Sequence, residues 1–221
     1  MNTNVKVALV FSGAIVLIVI AFIVVAILQA QPPSPETEGN PAPPAASAIR
    51  EDSHILDDGG AGAVTVVEFL DFECEACGAF YPVVEDLRAE FSGQITFAIR
   101  YFPLPGHFNS KNAAIAVEAA FQQGQLEAMY KRMFETQAEW GEAQESRAAL
   151  FRQFAEELGL DLAEYDAAVA DPATAERVQS DFDDGVALGV GSTPTFFVND
   201  RMVQLTSFDD LREAIEAELG R

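Results

Sequence analysis

The hydrophobic pattern begins with an unbroken apolar run over residues 7–28, softened only by Ser12 and Gly13. As a helix it would span about 33 Å, enough for a bilayer core. A cleaved signal peptide would have a shorter apolar stretch and a small-residue cleavage site, of which Leu28-Gln29-Ala30 is a poor version. The run therefore predicts a transmembrane anchor. Lys6 precedes it and no Lys or Arg follows until Arg50. The positive-inside rule then puts the tail, residues 1–6, in the cytoplasm and everything after the span outside. Residues 29–56 hold Pro32, Pro33, Pro35, Pro41, Pro43 and Pro44 among small and polar residues, and read as a flexible linker.

The pattern becomes that of a folded domain at residue 57. Residues 64–71, rich in β-branched and aromatic side chains, predict a buried strand. Residues 75–91 place Phe80, Val83, Val84, Leu87 and Phe91 at helical spacings, with Pro82 inside. A second strand follows at 95–102, ended by Pro103-Leu-Pro-Gly106. Residues 110–187 read as a long helical block with apolar stripes such as Ala113, Ala116, Val117 and Ala120, punctuated by Gly159 and Pro172. A hairpin is predicted from strands 195–198 and 202–205 around Asn199-Asp200, then an amphipathic helix over 208–219. The order is strand, helix, strand, helical block, hairpin, helix, which is an α/β arrangement.

The chain has 221 residues and a formal net charge of −22, spread along the part after the apolar run. Nucleic acid is excluded as a partner, since phosphate neutralisation needs clustered Lys and Arg. The acidity reads as a solvated, self-repelling surface, with adaptation to high salt or a basic partner as the alternatives. Both cysteines lie in one motif, Cys74-Glu-Ala-Cys77, so no structural disulfide framework is available.

The motif sits where a strand hands over to a helix. Cys74 would occupy the helix N-terminus, where unpaired N–H groups and the helix dipole favour an anion and lower a thiol pKa. Cys77, one turn further in, would be shielded. Zinc would need further ligands, and only His54 and His107 exist. Copper(I), bound by soft thiolates, is the more serious metal alternative. His107 reads as a loop or cap residue and Trp140 as core.

Three ordered segments carry a family likeness: Glu68-Phe-Leu-Asp-Phe-Glu-Cys-Glu-Ala-Cys77, Tyr101-Phe-Pro-Leu-Pro-Gly-His107 and Gly189-Val-Gly-Ser-Thr-Pro-Thr-Phe-Phe-Val198. Over residues 57–221 the chain resembles the DsbA-like branch of the thioredoxin-fold family. The resemblance implies a thioredoxin fold whose helical insertion covers about 110–187. It implies a cis-proline loop at Thr193-Pro194, facing the cysteines and pairing with an extended substrate segment. It also implies a buried carboxylate, Glu68, beneath the pair and able to exchange a proton with Cys77.

The function implied is protein thiol–disulfide exchange outside the cytoplasm, introducing disulfides into exported unfolded proteins. A quinone-linked membrane partner would reoxidise the pair, and no cofactor beyond the Cys74–Cys77 disulfide is called for. A disulfide reductase or isomerase, and a membrane-tethered copper or heme-maturation chaperone, are the alternatives. Familiar strong oxidants of the family carry a histidine between the cysteines, whereas this chain has Glu-Ala. With Glu73 and Glu75 flanking the nucleophile, like charge predicts a higher Cys74 pKa and a weaker oxidant than those.

Overall fold

The computed structural model describes residues 47–221. The predicted tail and anchor, and the linker as far as residue 46, lie outside the described residues. Among those described, no helix is long and apolar enough to cross a membrane.

Five strands form one sheet in the order β1-β3-β2-β4-β5. They are β1 (His54–Asp57), β2 (Val64–Leu70), β3 (Ile95–Tyr101), β4 (Thr195–Val198) and β5 (Arg201–Met202). Strand β2 is central, parallel to β3 and antiparallel to β4. Helix α1 (Glu75–Glu90) links β2 to β3 as a crossover and continues through Pro82. Six further helices fill the block after β3: α2 (Ser110–Phe121), α3 (Leu126–Glu135), α4 (Gln137–Trp140), α5 (Ala148–Glu157), α6 (Leu162–Ala170) and α7 (Pro172–Ala187). Helix α8 (Asp210–Glu218) ends the chain.

Side chains of a strand alternate between faces. Along β2, Val66 and Leu70 enter the large core that also holds Cys74, Cys77, Phe97, Phe196 and the helical block. Val67 and Phe69 enter a smaller core on the opposite face with Ala98, Phe102 and Phe197. Glu68 shares the Val66 and Leu70 face by this alternation, which aims its carboxyl towards the cysteines. Its register neighbours are Ile99 on β3 and Phe196 on β4.

Three boundaries differ from expectation. The folded unit starts before residue 57: β1 pairs with β3, Ala48 and His54 are buried, and Arg50 reaches Asp184. The prolines end at Pro44, so residues 47–56 are free to pair and pack. Strand β5 is two residues long rather than four: the Val203 N–H still meets the Phe196 carbonyl at 2.8 Å, and the chain leaves the sheet after it. The last helix starts at Asp210, after a turn in which the Asp210 carboxylate accepts the N–H groups of Thr206 and Ser207. The hairpin turn itself is as predicted, with Asn199 and Asp200 both at positive φ.

The helical block is tied to the sheet by charge as well as packing. Arg100 on β3 is fully buried. It donates to Asp181 at 2.7 Å and to Asp184 at 2.5 Å, both on α7. Gly185 permits the close approach of α7, since a methyl there would meet the Phe102 ring at 2.6 Å.

Candidate active site

Cys74 is the N-cap of α1, with extended backbone at φ −71° and ψ 122°. Its N–H is held by the Asp71 carbonyl at 3.1 Å, and its own carbonyl accepts Gly78 N–H at 3.1 Å. The cap position is set by sequence: β2 ends at Leu70, and residues 71–73 turn the chain into the helix. Both cysteines are free thiols. Cys74 is 6% exposed and Cys77 is fully buried.

The two sulfurs are electrostatically unequal. The Cys77 thiol donating to Cys74 does most to favour the Cys74 thiolate; burial opposes it, and Thr193 and the N–H groups of Cys77 and Ala76 add support. Cys74 falls from its ordinary 9.0 to about 6. Burial does the opposite to Cys77, and its thiol stands well above the ordinary value, raised further by its bond to Cys74 and by charge on Glu68. The flanking carboxylates, expected to oppose the thiolate, are outweighed. Glu73 turns away to cap α2, accepting Asn109 N–H at 2.6 Å.

Thr193-Pro194 is a cis peptide bond, as the resemblance implied. It lies against the nucleophile: the Cys74 thiol donates to the Thr193 carbonyl at 3.3 Å. Glu68 is buried, 2% exposed, and its Oε2 has no hydrogen-bond partner. Burial chiefly, with Glu85 and Cys74 adding and Arg88 opposing, lifts its carboxyl to about 8. A carboxyl so placed is neutral at pH 7 and can exchange a proton within the buried site. The five residues singled out from the sequence therefore converge: Cys74 and Cys77 through their hydrogen bond, Thr193 through its carbonyl with Pro194 joined to it by the cis peptide, and Glu68 through its shared strand face and mutual charge.

Two residues were missed. Asp71 is buried, and its carboxylate accepts Glu73 N–H at 2.9 Å, Leu104 N–H at 3.0 Å and the His107 ring nitrogen at 2.6 Å. Burial disfavours a charged His107, but Asp71 outweighs it and the imidazole pKa is raised. His107 is thus a partner of the turn before Cys74 rather than a free loop residue. Gln137, at the start of α4, donates from one Nε2 to the Phe72 carbonyl at 2.8 Å and the Cys74 carbonyl at 2.9 Å. A methyl on Gly78 would collide with its Oε1. A lone Gln sixty-three residues from the cysteine carries no local signal, whereas Asp71 was visible as the polar end of a buried strand. Among the described residues, no group of three or more His, Cys, Asp or Glu is arranged to hold a metal ion.

Comparison with known proteins agrees with this architecture. The crystal structure of oxidised BdbD from Bacillus subtilis aligns with a TM-score of 0.68 at 22% identity, over 80% of this chain and 98% of that one. A thioredoxin-like oxidoreductase from Silicibacter pomeroyi aligns at 0.66 and 25% identity, over 81% and 99%. The α-DsbA1 of Wolbachia pipientis aligns at 0.67 and 18%, over 78% and 93%. In sequence, the Na(+)/H(+) antiporter NhaA of Herminiimonas arsenicoxydans is 37% identical over 145 residues, 64% of this chain but 21% of the antiporter. An NhaA 1 antiporter of Mycobacterium sp. strain KMS is 34% identical over 154 residues, 67% of this chain and 24% of that protein. The chain thus spans between a fifth and a quarter of the length of these curated relatives. The family model described as thioredoxin matches residues 60–217, and the chain belongs to the thioredoxin family.

Proposed function

We propose that the protein is an extracytoplasmic thiol–disulfide oxidoreductase that passes the Cys74–Cys77 disulfide to exported, unfolded proteins. The observation that carries this reading is the placement of the thiols: Cys74 caps α1 with its sulfur against the carbonyl of the cis Thr193-Pro194 loop, and Cys77 is fully buried one turn further in, an arrangement that lowers the first thiol to about 6 and raises the second. A substrate thiolate attacks the Cys74 sulfur of the oxidised pair. The S–S bond breaks, and Cys77 leaves and takes up a proton, for which neutral Glu68 is the nearby source. A second substrate thiolate then attacks the substrate sulfur of the mixed disulfide and expels Cys74. Two electrons pass from substrate to pair, and one disulfide passes the other way. A low leaving-group pKa speeds that last step, so the asymmetry favours donation. Thr193 and Pro194 would hold the substrate segment beside Cys74, the Thr193 backbone pairing with it as an added strand.

The predicted anchor over residues 7–28 would keep the domain at the outer face of the cell membrane, beside a quinone-linked partner that restores the disulfide. A Cys74 pKa of about 6 lies between values of about 7 for thioredoxin and about 3.5 for DsbA. With Glu-Ala rather than a histidine between the cysteines, the pair would be an oxidant weaker than the strongest of the family.

The test mixes the oxidised full chain with a reduced, unfolded, disulfide-containing protein. Stoichiometric appearance of disulfides in that protein is expected. Reduction of a disulfide substrate without such transfer would reassign the protein as a reductase. Copper(I) binding by the reduced form, with no thiol exchange at all, would overturn the enzymatic reading.

A further inference from the structure

The residues on either side of Cys74 line an opening that the exchange chemistry does not use. Glu73, Glu75, His107, Phe108 and Glu142 form its walls. Glu73 is only 2% exposed, and while its Oε2 caps α2, its Oε1 has no partner. A buried carboxylate oxygen left unpaired is costly, and it marks a place made for a donor. At the rim the Glu75 and Glu142 carboxyls face each other at hydrogen-bonding range, which holds Glu75 down and lifts Glu142. Two carboxyls in contact are relieved by a shared proton or a bridging cation. Among the described residues, no Lys or Arg forms an ion pair with Glu73, Glu75 or Glu142, although Glu145 nearby has Arg147. Phe108 is 53% exposed, a flat apolar wall of the kind on which a guanidinium or a lysine stem rests.

We propose that this opening is a cation subsite that receives an Arg or Lys side chain of the substrate polypeptide close in sequence to its reacting cysteine. The inference rests on the oxidoreductase reading above and adds a substrate class to it: cysteines with basic neighbours. A guanidinium entering here meets the Glu75 and Glu142 carboxylates at the rim and the free Glu73 oxygen below, while the substrate cysteine reaches Cys74 between Glu73 and Glu75. Other charges face the subsite. Asp71 lies behind His107 and keeps that ring protonated to higher pH, and the Cys74 thiolate forms beside it. A protonated His107 competes with an incoming cation, so the preference is to strengthen as pH rises through the His107 titration.

The experiment uses the oxidised full chain and three single-cysteine peptides that differ only in the residues flanking the cysteine: arginine, glutamine or glutamate. The rate of mixed-disulfide formation is followed by acid quench and mass spectrometry. At low salt the arginine peptide is expected to react about tenfold faster than the glutamate peptide, with the gap shrinking in high salt. In the double variant Glu75→Gln, Glu142→Gln the ratio is expected to fall to about twofold. The double variant Glu164→Gln, Glu176→Gln makes the same change in net charge at exposed sites on the insertion and is expected to keep the ratio. Equal rates for the three peptides, or a ratio that falls equally in both double variants, would overturn the subsite and leave the oxidoreductase reading standing. No reaction with any peptide would overturn both.

Discussion

Replacing Glu68 with glutamine tests the buried carboxyl through stability alone, independently of any substrate. Glu68 ionises near its ordinary 4.5 when the chain is unfolded and at about 8 when folded. A folded-state pKa raised in this way means the native protein binds the extra proton between those limits. Stability tied to the neutral carboxyl is fully present below about pH 4.5 and is lost as pH rises through about 8. At pH 7 the gap from 4.5 is 2.5 units, which at about 1.36 kcal/mol per unit costs the native state about 3 kcal/mol. Glutamine is close in shape and never charged, so Glu68→Gln removes that cost. Urea unfolding of the reduced full chain should show the variant more stable by about 3 kcal/mol at pH 7, and within about 0.5 kcal/mol of the parent at pH 4.5. Stability curves that run parallel from pH 4.5 to 8 would mean instead that Glu68 is ionised and solvated in the folded protein.

The Gln137 clamp predicts a non-additive pair. Gly78→Ala alone should destabilise the fold and disturb Cys74, because its methyl meets the Gln137 Oε1. Adding Gln137→Ala should recover most of the stability, read by thermal unfolding, but not the Cys74 pKa, because the donor to the Phe72 and Cys74 carbonyls is gone. Asp181→Ala should cost about 3–5 kcal/mol in denaturant unfolding, since it strands the fully buried Arg100; a loss below about 1 kcal/mol would mean that Asp184 alone satisfies that charge.

Much of this site could be read from the chain because its determinants are local. A β-branched run, then Cys74-Glu-Ala-Cys77, then a helical stripe places a thiol at a helix N-terminus with no long-range information. Glu68 could be read to the extent that strand alternation is regular: Val66, Glu68 and Leu70 share a face, but which face holds the cysteines is decided by the crossover to β3. Thr193-Pro194 depended on the family likeness, since sequence periodicity does not report which loop will face another. The Gln137 contact depends on how α4 docks on the turn before α1, a packing outcome with no periodic signature. The second role of Glu73 was hidden for the same reason. Proximity in sequence to Cys74 suggested repulsion alone, and the bond that carboxylate accepts from the N–H of Asn109 depends on where α2 docks. The early start of the domain was obscured by prolines that end at Pro44, just short of a segment that pairs as β1.

The proposed exchange requires that Cys74 be the low-pKa nucleophile and Cys77 its buried, high-pKa partner. It is tested most directly by titrating the reduced full chain through its ultraviolet thiolate absorbance. One thiolate step is expected near pH 6, absent in Cys74→Ser and retained in Cys77→Ser, whose hydroxyl still donates. In Cys77→Ala, which removes that donor, the midpoint should rise by about one unit. A first step above pH 8, or one that vanishes with Cys77 rather than with Cys74, would contradict that assignment.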